Sequence, residues 1–287
     1  MYNFFYIFLL SLIAISGLFW LTEKIKIFYY KLKYSKQQEK YTNNNPNSIA
    51  ELFPTLFFIF IFRFFIFEPF QIPSSSMMPT LLSGDFILVQ KFFYNLKNPL
   101  NNKILFTLSH PHRGDVVVFQ LPEDKNKNYV KRVIGIEGDV ITYDSSTKTI
   151  SLIHKYSNFK KSIQLIKYKD FKNLKKNLKK YSNNQGYYLD ERNSSKTYKV
   201  LLVKGKKDDK KNYFKQKNEK IGKWVVPKGC FFVMGDNRDN SFDSRYWGFI
   251  PESNLIGKVN IIWFSFRKKE NKWPIGIRFN RIGKIVY

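Results

Sequence analysis

Two long apolar runs precede a stretch in which apolar and polar positions alternate over short distances. Phe4 to Leu21 is uncharged and rich in Phe, Leu and Ile. At 1.5 Å per residue it spans roughly 27 Å, close to the hydrocarbon thickness of a bilayer. No Lys or Arg precedes it and no small-x-small cleavage site follows it, so it reads as a retained transmembrane helix and not as a cleavable signal peptide. A second run, Leu52 to Phe67, carries Pro54 near its start and Arg63 near its end. It is short for a span, but an Arg within about a turn of the end can reach the interface. Read as a soluble core helix it would need cover on every side, so a second span is expected. Between the runs, Thr22 to Ala50 holds Lys24, Lys26, Lys31, Lys33, Lys36 and Lys40. Short loops this rich in Lys stay cytoplasmic, which puts the N-terminus and everything after Phe67 on the outer face of a multi-pass membrane protein.

From Glu68 onward the pattern becomes one of short strands broken by Gly, Pro, Asn and Asp. Candidates are Phe86–Gln90, Val116–Gln120, Tyr129–Ile134, Val140–Tyr143, Trp224–Val226, Phe231–Met234 and Val259–Phe266. Ser83-Gly84-Asp85, Arg113-Gly114-Asp115 and Glu137-Gly138-Asp139 are turn signals immediately before or at the start of a strand. No long amphipathic helix stands out, so the expected class is mainly β, an antiparallel sheet anchored by two N-terminal transmembrane helices. Residues 145–222 differ from their flanks in being dominated by Lys, Asn, Tyr and Ser, with Ile163–Ile166 and Tyr198–Val203 as isolated strand-like stretches. They read as an inserted, poorly packed Lys-rich lobe or a set of surface loops. The expected division is therefore a membrane anchor over 1–67, a β domain over 68–144 and 223–287, and an inserted lobe over 145–222.

A chain of 287 residues suits one or two domains, and its 44% hydrophobic content excludes a wholly disordered polymer. Lys+Arg of 49 against Asp+Glu of 22 gives +27, which raises a polyanion or anionic membrane as partner. The excess is nearly all Lys and travels with abundant Asn, Ile, Phe and Tyr, as compositional drift also would, and a basic balance alone is weak evidence. The single Cys230 allows no internal disulfide; in Lys-Gly-Cys-Phe-Phe-Val-Met it reads as a small buried hydrophobe. His110 and His112 flank Pro111 with no acidic partner at ligand spacing, which disfavours a metal there. Asp236, Asp239 and Asp243 crowd one loop, but the third position of a calcium loop would be Arg238.

Three stretches remain: Pro73-Ser74-Ser75-Ser76-Met77-Met78-Pro79-Thr80; Tyr129-Val130-Lys131-Arg132; and Gly235-Asp236-Asn237-Arg238-Asp239-Asn240-Ser241-Phe242-Asp243-Ser244-Arg245-Tyr246-Trp247-Gly248. Singly, each has a plain structural explanation as a turn, a solvated strand or a salt-bridged loop. Together, in this order, they resemble type I signal peptidase (leader peptidase), a membrane-bound Ser/Lys endopeptidase family. Phe67-Glu68-Pro69-Phe70-Gln71-Ile72-Pro73, Gly84-Asp85-Phe86-Ile87-Leu88-Val89 and Arg113-Gly114-Asp115-Val116-Val117-Val118-Phe119 extend the match over nearly everything outside 145–222.

The resemblance implies Ser76 as nucleophile and Lys131 as general base. Ser74 would contribute its hydroxyl to the oxyanion hole beside the Ser76 N–H. Ser241 would orient the Lys amine, with Asp243 and Arg245 as a supporting pair. Ser75 stands where the family commonly has Gly. Substrate pockets for small side chains are implied at Phe70, Ile72, Met77, Leu81, Ile87, Val118, Tyr129 and Val130. No metal or organic cofactor and no nucleic acid is implied; the partners would be signal-peptide-bearing precursors emerging from the export machinery, and the lipid bilayer.

Chemistry is consistent with these roles. A Ser hydroxyl needs a base to take its proton, and a Lys can serve only when neutral. Apolar burial can lower a Lys from about 10.4 by up to ~3–5 units, and Val130, Val133 and Ile134 offer such surroundings. Two rivals stand beside this reading. A Ser/Lys self-cleaving regulator would not have paired membrane spans. A membrane-anchored basic module without catalysis would bind anionic lipid or nucleic acid in a strongly salt-dependent way, indifferent to Ser76.

Overall fold

The computed structural model describes residues 2–33, 48–97, 104–124, 127–154, 186–193, 196–203, 206, 208–267 and 273–287. The strand-like stretch Ile163–Ile166 and the loop lysines Lys36 and Lys40 lie outside the described residues. The chain forms two compact units, Met1–Phe67 and Glu68–Tyr287.

The first unit is helical. α1 (Tyr2–Lys33) runs on past the apolar stretch, so residues 22–33, expected in a loop, are helix carrying Lys24, Lys26, Lys31 and Lys33. Nothing in Thr22–Lys33 breaks a helix, since it contains neither Gly nor Pro. Over Ile7–Lys33 it is the one described helix long and apolar enough to cross a membrane. α2 (Ser48–Ile61) has 14 residues and continues into a single π-helical turn, Phe62–Ile66, that contains Arg63. Phe67, expected to end an apolar span, instead opens a strand. α1 and α2 meet where Gly17 has no side chain: a Cβ there would come within 2.9 Å of the Phe53 ring.

The second unit is mainly antiparallel β. Its large sheet uses β1 (Phe67–Gln71), β2 (Asp85–Gln90), β5 (Val116–Gln120), β6 (Asn128–Gly135), β12 (Cys230–Met234), β13 (Ile250–Pro251), β14 (Leu255–Ser265) and β15 (Lys284–Ile285). The strand order is β1-β2-β14-β5-β6-β12-β13, with β15 also paired to β14. β7 (Asp139–Asp144), β8 (Thr149–His154) and β11 (Lys223–Val225) form a three-stranded sheet in the order β11-β7-β8. β3 (Asn95–Lys97) pairs with β4 (Ile104–Thr107), and β9 (Gly186–Asn193) with β10 (Lys196–Val203).

The uninterrupted Val116-Val117-Val118-Phe119 run belongs to a strand buried on both faces. Val116 and Val118 pack with Ile72, Met77, Leu81 and Ile87, whereas Val117 and Phe119 pack with Tyr94, Val133, Phe231 and Leu255. Alternation of side chains along a strand sorts the two sets. A third cluster joins Ile134, Phe232 and Met234 of the large sheet to Ile141, Tyr143, Ile150, Leu152 and Trp224 of the small one.

The three Gly-Asp turn signals use one device. Gly84, Gly114 and Gly138 take φ of +90°, +85° and +81°, a region open to Gly at little cost. Each following Asp turns its carboxylate back onto the N–H three residues earlier, at 2.8 Å for Asp85 and Leu82, 3.0 Å for Asp115 and His112, and 2.9 Å for Asp139 and Ile136. Each carboxylate also meets a cation: Arg281 on Asp85, Lys258 on Asp115 and Arg113 on Asp139.

Residues 145–222 are not uniformly loops. Ile150 and Leu152 of β8, and Tyr213, belong to the core cluster around Trp224. Tyr198–Val203, expected to be an isolated stretch, lies in the β9–β10 hairpin and buries Tyr198, Val200 and Leu202 together. The Lys-rich composition hid the inward positions of the hairpin, where Lys199 alternates outward between Tyr198 and Val200. Cys230 is half-buried on β12, against the same core, and not fully inside as expected.

Candidate active site

Ser76 sits in a turn between β1 and β2 that is tied at both ends. Ile72 N–H donates to Asp85 O at 2.8 Å and Gly84 N–H to Ile72 O at 2.8 Å, while Ser83 Oγ donates to Pro73 O at 3.0 Å. Lys131 lies on β6, in register with Val117 of β5. These two residues, 55 apart in sequence, meet with Lys131 Nζ 2.7 Å from Ser76 Oγ. Ser76 is half-buried, but Lys131 is only 4% exposed.

Burial lowers the Lys131 pKa to about 8, against the opposing pull of Asp243 and with the Arg245 charge assisting. An amine that loses its proton near pH 8, and not above 10, can in its neutral form take the proton of a hydroxyl at hydrogen-bond distance.

Ser74 is exposed at the mouth of the turn, its Oγ 3.4 Å from Ser76 Oγ. Ser241 is buried beside the pair. A Cβ on Gly235 would come 2.3 Å from Ser241 Oγ and 2.5 Å from Ser76 O, so only Gly lets the two segments approach this closely. Ser241 Oγ has no hydrogen-bond partner among the described residues, so its expected contact with the Lys131 amine is not formed in this arrangement.

Asp243 and Arg245 form a fully buried bidentate pair, Nε to Oδ1 at 2.9 Å and Nη2 to Oδ2 at 3.0 Å. Burial works to raise the Asp243 carboxyl, but the charge and hydrogen bonds of Arg245 outweigh it and hold the pKa below the usual value. Asp243 Oδ2 also accepts Gly235 N–H at 3.1 Å, and Arg245 Nη2 donates to Arg238 O at 2.5 Å. The pair thus closes the loop that carries Gly235 and Ser241. The crowded aspartates of that loop go to separate cations, Asp236 to Arg132 and Asp239 to Lys148.

Seven of the eight expected pocket residues fall in one cluster. Ile72, Met77, Leu81, Ile87 and Val118 are buried there, with Phe70 and Val130 packed on it and partly exposed. Tyr129 is separated from them: next to Val130 on the same strand, it faces the other way and packs near Phe119 and Trp247.

Several residues of this site lay inside the quoted motifs without a role assigned to them. Asn237 N–H donates to Ser76 O at 3.0 Å and its Nδ2 to Ser75 O at 3.1 Å; Asn240 Nδ2 donates to Ser75 Oγ at 3.1 Å. The hydroxyl of Ser75 is therefore used to fasten the nucleophile turn to the loop. Arg132, beside the amine-bearing residue, is buried in a bidentate pair with Asp236 at 2.8 and 2.7 Å and reaches Thr80 at 3.3 Å. Only the turn residues Asn and Gly offered a signal for these contacts; their partners are distant in the chain, 52 and 104 positions for those of Arg132 and more than 150 for those of Asn237 and Asn240.

Known proteins are similar to this chain in sequence. A family model described as signal peptidase, peptidase S26, matches residues 47–264. The signal peptidase I of Buchnera aphidicola subsp. Acyrthosiphon pisum (strain APS) is 46% identical, over 99% of this chain and 100% of the relative. That of Buchnera aphidicola subsp. Baizongia pistaciae (strain Bp) is 43% identical, over 99% and 100%. The signal peptidase I of Haemophilus influenzae (strain ATCC 51907 / DSM 11121 / KW20 / Rd) is 32% identical, over 97% and 91%.

Proposed function

Because the chain belongs to the signal peptidase family, peptidase S26, we propose that it removes N-terminal signal peptides from exported precursors through Ser76 and Lys131. It is a serine endopeptidase. The observation that carries the assignment of residues is the 2.7 Å approach of a buried amine, with a pKa near 8, to the Ser76 hydroxyl.

Ser76 Oγ attacks the scissile carbonyl carbon while Lys131 Nζ takes the hydroxyl proton. The negative charge that develops on the carbonyl oxygen is met by the Ser76 N–H and the Ser74 hydroxyl. The C–N bond breaks as the protonated amine returns its proton to the leaving nitrogen, which frees the mature chain. Water, deprotonated by Lys131, then attacks the ester, releases the signal peptide and restores Ser76. Ser241, buried beside the pair with its hydroxyl unbonded, is the residue to orient the amine once substrate excludes water. The Asp243/Arg245 pair keeps that loop in place. No step requires a metal or organic cofactor.

Phe70 and Val130 form the accessible wall of the substrate pocket, and Ile72, Met77, Leu81, Ile87 and Val118 back it from the core. An apolar wall with no cation suits small uncharged side chains. The chain is placed in the cell membrane by α1 and by a second, shorter span through α2, with the Lys-rich connection cytoplasmic and the catalytic unit on the outer face, where precursors emerge. The anchor confines enzyme and substrate to the same surface. The family and the dyad displace a non-catalytic reading of the positive charge.

The test is incubation of a purified precursor with the wild type and Ser76→Ala in detergent, followed by N-terminal analysis of the product. Cleavage at the signal-peptide junction by the wild type alone is the expected result. Cleavage by both would remove Ser76 from the mechanism.

A further inference from the structure

The β9–β10 hairpin lies in the 145–222 segment, which carries none of the motifs, yet it packs on the catalytic loop. Leu201 N–H donates to Asp236 O at 2.7 Å, and Leu201 bridges Asn237 in parallel register. Asn237 N–H in turn donates to Ser76 O. The loop 236–240 is therefore held between the hairpin on one side and the nucleophile turn on the other.

A buried charge stands at the centre of this contact. Glu191 of β9 is 0% exposed. Its Oε1 accepts the Tyr198 hydroxyl at 2.7 Å, from the cross-strand neighbour in register. Its Oε2 lies 2.5 Å from Nη2 of Arg238, which is itself buried and sits between Gly235 and Ser241 in sequence; the two form an ion pair whose atoms are not aligned as a hydrogen bond. Tyr198 also lies flat against Arg132, whose guanidinium carbon is 3.8 Å from the ring centroid. A carboxylate is expensive to bury and survives there only when paired. Here its partner is on the loop that fastens Ser76.

We infer that Glu191 is a positioning residue for the reaction: through Arg238 it holds the loop 235–241 against the Ser76 turn. The inference rests on the Ser76/Lys131 reading. Without the carboxylate, the Arg238 guanidinium is left charged in a dry site and draws its loop toward water. Asn237 then no longer meets Ser76 O, and Gly235 and Ser241 leave their places beside it. The side-chain partners of Glu191, Tyr198 and Arg238, lie outside the set of pocket residues, so the effect falls on turnover and not on substrate affinity.

The test measures precursor cleavage by the full chain in detergent. Glu191→Gln is expected to lower kcat about tenfold with KM changed less than about twofold. Glu191→Asp restores part of the loss. Tyr198→Phe, which keeps the ring and removes only the hydroxyl given to Glu191, loses about threefold and decides the matter if Glu191→Gln does not fold. Leu202→Ala loosens the hairpin's own apolar cluster without touching Arg238, and keeps kcat within about twofold at a comparable loss of Tm. Wild-type kcat in Tyr198→Phe, or in a folded Glu191→Gln, would overturn the inference, as would an equal fall in kcat for Leu202→Ala. Full cleavage by Ser76→Ala, assayed alongside, would instead sink the dyad reading.

Discussion

At neutral pH a Lys131 amine with a pKa of about 8 is protonated in most molecules, and a protonated amine cannot accept the Ser76 proton. The pH dependence of kcat/KM should therefore rise through a midpoint near 8, since that parameter reports the free enzyme's base. A profile flat from about pH 6 to 9 would contradict the base assignment. The same shift has a stability signature. The folded pKa lies below the unfolded value of about 10.4, so between these two pH values the unfolded chain binds more protons and folding gains as pH rises. Relative to Lys131→Met, the wild type should gain on the order of 3 kcal/mol across that window, read as a difference in denaturation midpoints at pH 7 and pH 10. Ser74→Ala tests another single group. A lost oxyanion donor commonly costs 10²–10³ in kcat, roughly 2.7–4 kcal/mol, so kcat should fall by that order while KM barely moves. Unchanged turnover would remove Ser74 from the mechanism.

Among elements, the contact that matters is between the Ser76 turn and the loop from Gly235 to Arg245. Gly235 is the narrowest point, because a Cβ would strike Ser76 O, a backbone atom that cannot rotate aside. Gly235→Ala should fold with a modest fall in Tm and lose about 100-fold in kcat, as a displacement of the nucleophile by an ångström suffices for that. Full activity would show that the turn has room to move. The strands that position this contact were largely readable beforehand. Val116–Gln120 has its expected bounds, and β2, β6, β7 and β12 differ by a residue or so at each end, because period-two patterning and Gly-Asp turns act locally. β9 was not readable. Its buried Glu191 is compensated by Arg238, 47 positions later, and no local pattern announces such a pair.

For the whole molecule, the path across the membrane decides on which side the catalytic unit works. α1 extends well past the apolar run and ends in Lys31 and Lys33, which suits a helix leaving the bilayer on the cytoplasmic side. Cysteine accessibility tests this in a Cys230→Ser background, since Cys230 is the sole cysteine. A Cys replacing exposed Lys217 should react with a membrane-impermeant maleimide in intact cells, whereas one replacing Lys33 should react only after permeabilisation. The reverse pattern would invert the topology. The excess of positive charge does not bear on this, because long domains cross largely regardless of charge.

What the amino-acid sequence determined by itself was the set of chemical groups and the local frame that presents them: the apolar helix, the Gly-Asp turns, the strand at Val116–Gln120, and the three motifs. Tertiary structure alone decided that Lys131 meets Ser76 and that Tyr129 turns away from the pocket while Val130 joins it. It also decided that the Lys-rich segment contributes Ile150, Leu152 and Glu191 to the interior. The physical reason is the range of the forces involved. Patterning and turn chemistry act over a few residues, whereas a lowered amine pKa and a compensated buried carboxylate depend on exclusion of water by segments distant in the chain.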